Sequence, residues 1–189
     1  MPDTDHQIVE ACQRGDPAAF EGLVRRHGPS LLGYLIRICG DRDRADDCFQ
    51  ETFARVHRNL HQVRPAAFRA WLFRIATNTS IDGFRRQGRK RMASLDQAAE
   101  GGNPRAAADT IVDPGPGPAE AACRQEQVAA VRRAVASLPD GQRATLALAY
   151  FQQMSYSQVA EVLGCSVGTV KTQMSRALDT LAKTLPDLE

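Results

Sequence analysis

The chain has 189 residues, 43% of them hydrophobic and 24% charged, enough for one medium domain or two small ones. No run approaches the ~18 uncharged apolar residues of a membrane span, and the polar, acidic start MPDTDHQIVEACQRGD is no secretory signal, so membrane insertion is excluded and a cytoplasmic protein is expected. The net charge of +2 is segregated: +5 over residues 1–91, −4 over 92–122 and +1 over 123–189, a pattern of modules with separate tasks.

The first ninety residues read as helices. Asp16 before Pro17 is an N-cap followed by proline at the first helical position. Phe20, Leu23, Val24, Leu31, Leu32, Leu35, Ile36 and Ile38 then recur at helical spacing, with a bend expected at Gly28 and Pro29, and Gly40 stops the helix. A second helix is expected from about Asp43, through Cys48, Phe49, Thr52, Phe53, Val56 and Leu60. The segment HQVRPAA (His61 to Ala67) breaks the pattern at its proline. A third helix follows from Phe68 and runs into a basic cluster in which five of the seven residues from Arg85 to Arg91 are Arg or Lys.

At 100° per residue, Trp71, Arg74, Asn78, Asp82 and Arg85 share one stripe of that helix, with Phe68, Leu72, Ile75 and Thr79 on the adjacent face as a core stripe. Basic charge interleaved with aromatics suits a surface that holds phosphates and stacks on bases. Trp71 by itself fits a core position equally well, and the basic run by itself fits a solvated helix end.

From Met92 to about Ala119 the periodicity disappears. Gly101 and Gly102, Pro104, and DPGPGP from Asp113 sustain neither helix nor central strand, so a flexible acidic linker is expected. Helical rhythm returns with Val128, Val131, Val135 and Leu138, breaks at PDG (Pro139 to Gly141), and resumes through Leu146, Leu148, Ala149 and Phe151. SYSQ, from Ser155 to Gln158, matches a capping box and opens a short helix that Gly164 ends. Ser166 can cap the next one.

A short helix, a tight turn at Gly164 and Cys165, and a longer helix form a helix-turn-helix layout. Val167, Val170, Met174, Ala177, Leu178 and Leu181 are expected to face inward. Ser166, Thr169, Lys171, Thr172, Gln173, Ser175 and Arg176 are left to meet base edges and phosphates in a major groove. An ordinary helical hairpin with a solvated polar face is the plainer reading of the same segment.

Cys12, Cys39, Cys48, Cys123 and Cys165 contain no C-x-x-C pair and suit reduced thiols. A metal site recruiting His27, His57 or His61 with Cys39 and Cys48 matches no common zinc spacing. Neither metal nor cofactor is expected. A phosphate-binding glycine loop and a nucleophile motif are also lacking, so no enzymatic activity is expected.

Taken in order, these segments resemble bacterial sigma factors of the extracytoplasmic-function (ECF, group IV) type. GDPAAFEGLVRRHGPSLLGYLIRICGD resembles the start of their region two, RADDCFQETFARVHRNL the segment that binds the polymerase clamp helices, and FRAWLFRIATNTSIDGFRRQGRKR the part that melts and reads the −10 element. LPDGQRATLALAYFQQMSYSQVAEVLGCSVGTVKTQMSRALDTL is similar to region four, which reads the −35 element. The resemblance implies an all-α chain of two small helical domains. A region-two bundle over 1–91 and a region-four helix-turn-helix over 122–189 would be joined by the linker 92–121.

It implies that Asp46, Asp47, Gln50 and Glu51 meet core RNA polymerase, and that His61, Arg64, Trp71, Arg74, Asn78, Arg85, Arg86, Arg89, Lys90 and Arg91 serve the −10 element. The loop His61 to Ala67 corresponds to the family's pocket for a flipped base. The linker would run toward the RNA exit path. Expected partners are the clamp helices and flap of core polymerase, promoter DNA and a cognate anti-sigma factor. Since the chain ends eight residues after Leu181, no additional C-terminal sensory domain is expected. The chain departs from the family pattern at Thr77, Gln173 and Leu178, where arginine is frequent. A free-standing helix-turn-helix regulator is the alternative; it leaves the acidic helix and the Trp71 helix without a task.

Overall fold

The computed structural model describes the backbone of residues 4–93 and 118–185 and the side chains of residues 5–83 and 125–185. Among the described residues every regular element is helical, as expected for an all-α chain. The helices are α1 (Thr4–Gln13), α2 (Pro17–Cys39), α3 (Arg42–Asn59), α4 (Phe68–Ala93), α5 (Pro118–Ser137), α6 (Asp140–Leu146), α7 (Tyr156–Leu163) and α8 (Val167–Thr184). Most of the expected linker and the side chains of Arg85, Arg86, Arg89, Lys90, Arg91 and Cys123 lie outside the described residues. Helix α4 continues to Ala93 and α5 starts at Pro118, so both helices reach into the span 92–121.

Local signals placed the helix ends well. The Asp16 carboxylate accepts from the Ala18 and Ala19 amides, with Pro17 at the first turn, and Asp41 accepts from the Arg44 amide to open α3. Gly40 adopts φ 70° and its amide donates to Ile36 O, a left-handed turn that L side chains rarely take. The expected bend at Gly28 and Pro29 does not divide the helix: α2 runs unbroken with Pro29 inside it. Gly28 leaves room there for Phe49 of α3, whose ring would lie 3.4 Å from a Cβ at that position.

The first four helices enclose a core of Leu23, Leu31, Tyr34, Leu35, Val56, Phe68, Leu72 and Phe73. The Phe73 and Tyr34 rings meet edge to face at 5.2 Å. Thr77 Oγ1 donates to Phe73 O, so the Tyr34 hydroxyl is left to donate to Thr77 across 2.6 Å. This accounts for one departure from the family pattern: residue 77 is a buried partner of Tyr34, a place where a guanidinium would lack solvation. The core stripe of α4 is also wider than expected, since Phe73, Ala76, Thr77 and Ser80 join Phe68, Leu72 and Thr79.

His27 is buried against the Phe68 ring. Its Nε2 is 3.2 Å from Asp5 Oδ1 but poorly aligned for a hydrogen bond. Burial therefore outweighs the attraction of Asp5 and depresses its pKa. The unfolded chain takes up a proton near the ordinary histidine value of 6.5 before the folded one does. Stability present above that value is therefore lost as pH falls below it, by at most ~1.4 kcal/mol per pH unit. His27→Gln should flatten this slope in melting temperatures measured down a pH series.

The second module packs its helices around Leu138, Leu146, Met174 and Ala177. Between α6 and α7 the chain makes a π-helical turn over Ala147–Phe151, then reaches Gln153, which has φ 52°. This turn docks the two modules together. The buried Gln152 accepts from the Ser30 hydroxyl and its carbonyl accepts from Arg69 Nη2, both at 2.5 Å. The Arg37 guanidinium lies 4.1 Å over the Phe151 ring. One continuous apolar cluster runs from Leu72 and Phe73 through Leu148 and Met154 to Val159 and Val170.

Candidate nucleic-acid and polymerase interface

Three surfaces carry the residues singled out in the sequence. The first is the N-terminal half of α3. Buried Ala45, Thr52, Phe53 and Val56 hold this helix on the core, so Asp47, Gln50 and Glu51 project as an exposed acidic edge with half-buried Asp46 beside them. Asp46 accepts from Arg42 Nε at 3.3 Å and Glu51 from Arg55 Nε at 2.7 Å. Pairs this exposed contribute little stability, so a partner's cations can exchange for them at little cost.

The second surface surrounds the loop between α3 and α4, which consists of two short 3₁₀ turns, Leu60–Gln62 and Pro65–Ala67. Leu60 and Val63 are buried beneath it. Gln13 of α1 donates to Leu60 O and Val63 O, both at 2.9 Å, which fixes the loop against the bundle. His61 and Arg64 are exposed. Arg64 joins Gln62, Ala67, Trp71 and Arg74 around a cleft of about 180 Å³, closed on its far side by Glu161 of α7. The cleft offers one aromatic face and two guanidiniums.

Trp71 is half-buried, with its ring 6.2 Å from Phe68. It packs against the apolar core and is also among the residues lining the cleft. Arg74 and Asn78 are exposed farther along the same stripe, and Asp82 is half-buried. Glu161 was not anticipated. Gln62 lies inside the loop already singled out, whereas Glu161 reaches the cleft only through the docking of the second module.

The third surface is α8. Ser155 and Gln158 form the reciprocal capping box, and Gly164 closes α7 at φ 64°. The Ser166 hydroxyl caps α8 by accepting from the Thr169 amide. Lys171, Thr172, Ser175 and Arg176 are exposed along with Ser166 and Thr169.

Two expectations about this helix need correction. Val167 and Leu178 do not face inward; they are 38% and 52% exposed. The apolar packing of α8 runs along the narrower stripe of Val170, Met174, Ala177 and Leu181. Leu178 is one residue, and so about 100°, past that line. Gln173 is not free to face outward either. Its Oε1 accepts from the buried Thr145 hydroxyl at 2.6 Å, and its amide sits over Gly141, so it braces α8 against α6.

Among the described residues no helix is long and apolar enough to cross a membrane, and no group of three or more His, Cys, Asp or Glu is placed to hold a metal ion.

Residues 23–90 match the Sigma-70 region 2 family and residues 129–181 match Sigma-70, region 4. The chain is 36% identical to the RNA polymerase sigma-H factor of Pseudomonas aeruginosa, over 97% of its own length and 95% of that protein. It is 31% identical to the ECF RNA polymerase sigma factor SigW of Bacillus subtilis, over 95% and 96% of the two chains. Among solved structures it is similar to CnrH in complex with the cytosolic domain of CnrY, at 28% identity and a TM-score of 0.70, covering 99% and 100% of the two chains.

Proposed function

Because the chain belongs to the extracytoplasmic-function family of RNA polymerase sigma factors, we propose that its three exposed surfaces divide promoter-specific initiation among them. The protein is an alternative sigma factor that directs promoter-specific transcription. In the finer reading, the acidic edge of α3 binds the clamp helices of core polymerase and α8 enters the major groove of the −35 element. The cleft beside Trp71 receives a base flipped from the −10 element. The role is recognition and melting in the cytoplasm, with no chemical step of its own.

The observation that carries this reading is the match to region 2 over residues 23–90 and to region 4 over residues 129–181, in that order, supported by the exposure of Asp47, Gln50 and Glu51 on α3 and of Lys171, Thr172 and Arg176 on α8. Extruding a base costs a few kcal/mol of stacking, which an aromatic wall and two arginines are suited to offset. Glu161 places a carboxylate in the same cleft, so the modules must separate there before a phosphate backbone can enter. A cognate anti-sigma protein is the expected regulator; the solved relative CnrH is itself bound by the cytosolic domain of a second protein.

Purified protein added to core polymerase should yield promoter-dependent transcripts. Footprinting should show protection with polymerase present and none with the protein alone; protection by the protein alone would favour the free-standing regulator. Replacing Lys171 and Arg176 by alanine should weaken −35 binding by roughly tenfold or more, since a base-reading arginine alone contributes about 1–3 kcal/mol. Melting of a promoter bearing a consensus −10 element should survive the change.

A further inference from the structure

We infer that Cys39 and Cys48 form a peroxide-oxidisable thiol pair whose disulfide locks α2 to α3 directly beneath the polymerase-facing acids. The turn between the helices brings the two thiols together. Cys39 is the last residue of α2, and only Gly40 and Asp41 separate it from α3. The left-handed Gly40 and the Asp41 cap fold α3 back at once, leaving Cys39 Sγ donating to Cys48 Sγ at 3.9 Å.

Cys39 is buried and Cys48 half-exposed, so the pair has one sulfur open to solvent and one held in reserve. The electrostatics assign the same roles. The shared proton and burial hold the Cys39 thiol up, while the hydrogen bond from Cys39, assisted by Arg44, brings Cys48 down to about 7. A substantial thiolate fraction at neutral pH is what a peroxide-reactive cysteine requires.

Hydrogen peroxide is the two-electron oxidant. The Cys48 thiolate attacks its O–O bond, an S–O bond forms, and hydroxide leaves and is protonated to water. The Cys39 sulfur then attacks the Cys48 sulfenic acid. An S–S bond forms, the S–O bond breaks, and the departing hydroxide takes the Cys39 proton as a second water. Two electrons pass from the sulfur pair to one peroxide, and a thiol reductant reverses the change by exchange. Drawing the sulfurs to about 2.05 Å shifts the first turns of α3 on α2, and those turns carry Asp46 and Asp47.

The full chain, reduced and freed of reductant, is treated with hydrogen peroxide, alkylated and digested with trypsin. The peptides Ile38–Arg42 and Ala45–Arg55, which cleavage after Arg42 and Arg44 separates, should appear linked and short of two hydrogens, with Cys12, Cys123 and Cys165 alkylated. Alkylation of both Cys39 and Cys48, or linkage to another cysteine instead, overturns the proposal. Cys39→Ser should leave a dimedone-reactive sulfenic acid at Cys48, and Cys48→Ser should abolish both products.

The consequence for polymerase rests on the proposed function. Oxidised protein should bind core polymerase about tenfold more weakly than reduced protein, with recovery on adding dithiothreitol. A disulfide that forms without changing the affinity overturns the regulatory half of the inference. Reduced protein that fails to bind polymerase overturns the proposed function instead, and leaves the disulfide result standing.

Discussion

Placing lysines on the α3 edge with Asp47→Lys and Gln50→Lys should abolish promoter-dependent transcription while leaving the protein folded. Both side chains are exposed, and surface substitutions of this kind ordinarily change stability by no more than ~0.5 kcal/mol. At an interface, by contrast, placing like charge against like costs several kcal/mol, which at ~1.4 kcal/mol per decade lowers polymerase affinity by a hundredfold or more. Affinity for core polymerase and melting temperature should be measured on the same preparation. Transcription at the wild-type level would refute the assignment of α3, and a large fall in melting temperature would make the double variant uninformative, with Asp47→Asn then the better probe.

Phe73→Ala and Trp71→Ala, two residues apart on α4, should fail in different ways. Phe73 is 1% exposed and fills the space beside Tyr34. Its truncation leaves a cavity worth ~3–5 kcal/mol, a large share of the ~5–15 kcal/mol that stabilises a typical domain. Urea unfolding should show the loss directly, and all functions should fall together. Trp71 has one face in the cleft, so its truncation costs less stability. It should selectively remove promoter opening, read as permanganate reactivity of unpaired thymines in the −10 region, while polymerase binding persists. Equal losses of binding and opening in Trp71→Ala would make the residue purely structural.

The contrast between these neighbours shows how far periodicity reaches. Spacing placed Phe68, Leu72 and Thr79 on the buried face of α4 and Arg74 and Asn78 on the open one, and the structure agrees. Ile75, expected in the core, is half-buried, whereas Phe73 is enclosed, because α4 is covered from two sides. Helices α2, α3 and α7 all pack against α4, which widens a one-sided stripe into a broader band. A single sequence carries the spacing of residues but not the number of neighbours that will cover them.

The same limit explains the errors on α8. Gln173 looked like a base-reading amide because polar residues on a recognition helix usually face solvent. Its use depends on Thr145, twenty-eight positions earlier, and nothing local to α8 reports that hydroxyl. Val167 and Leu178 looked buried because they are apolar, yet the contact surface is only as wide as α6 and α7 make it.

Helix type, the caps at Asp16, Ser155 and Ser166, the stops at Gly40 and Gly164, and the order of the two regions were all legible in the chain, whereas the Asp41 cap of α3 was not read from it. Each depends on dihedral preference and hydrogen bonds within a few residues. Tertiary packing alone decided the docking of the modules through Gln152, the cleft shared by Trp71 and Glu161, and the pairing of Cys39 with Cys48. These depend on which surfaces meet, and contacts between residues far apart in sequence leave no period to read.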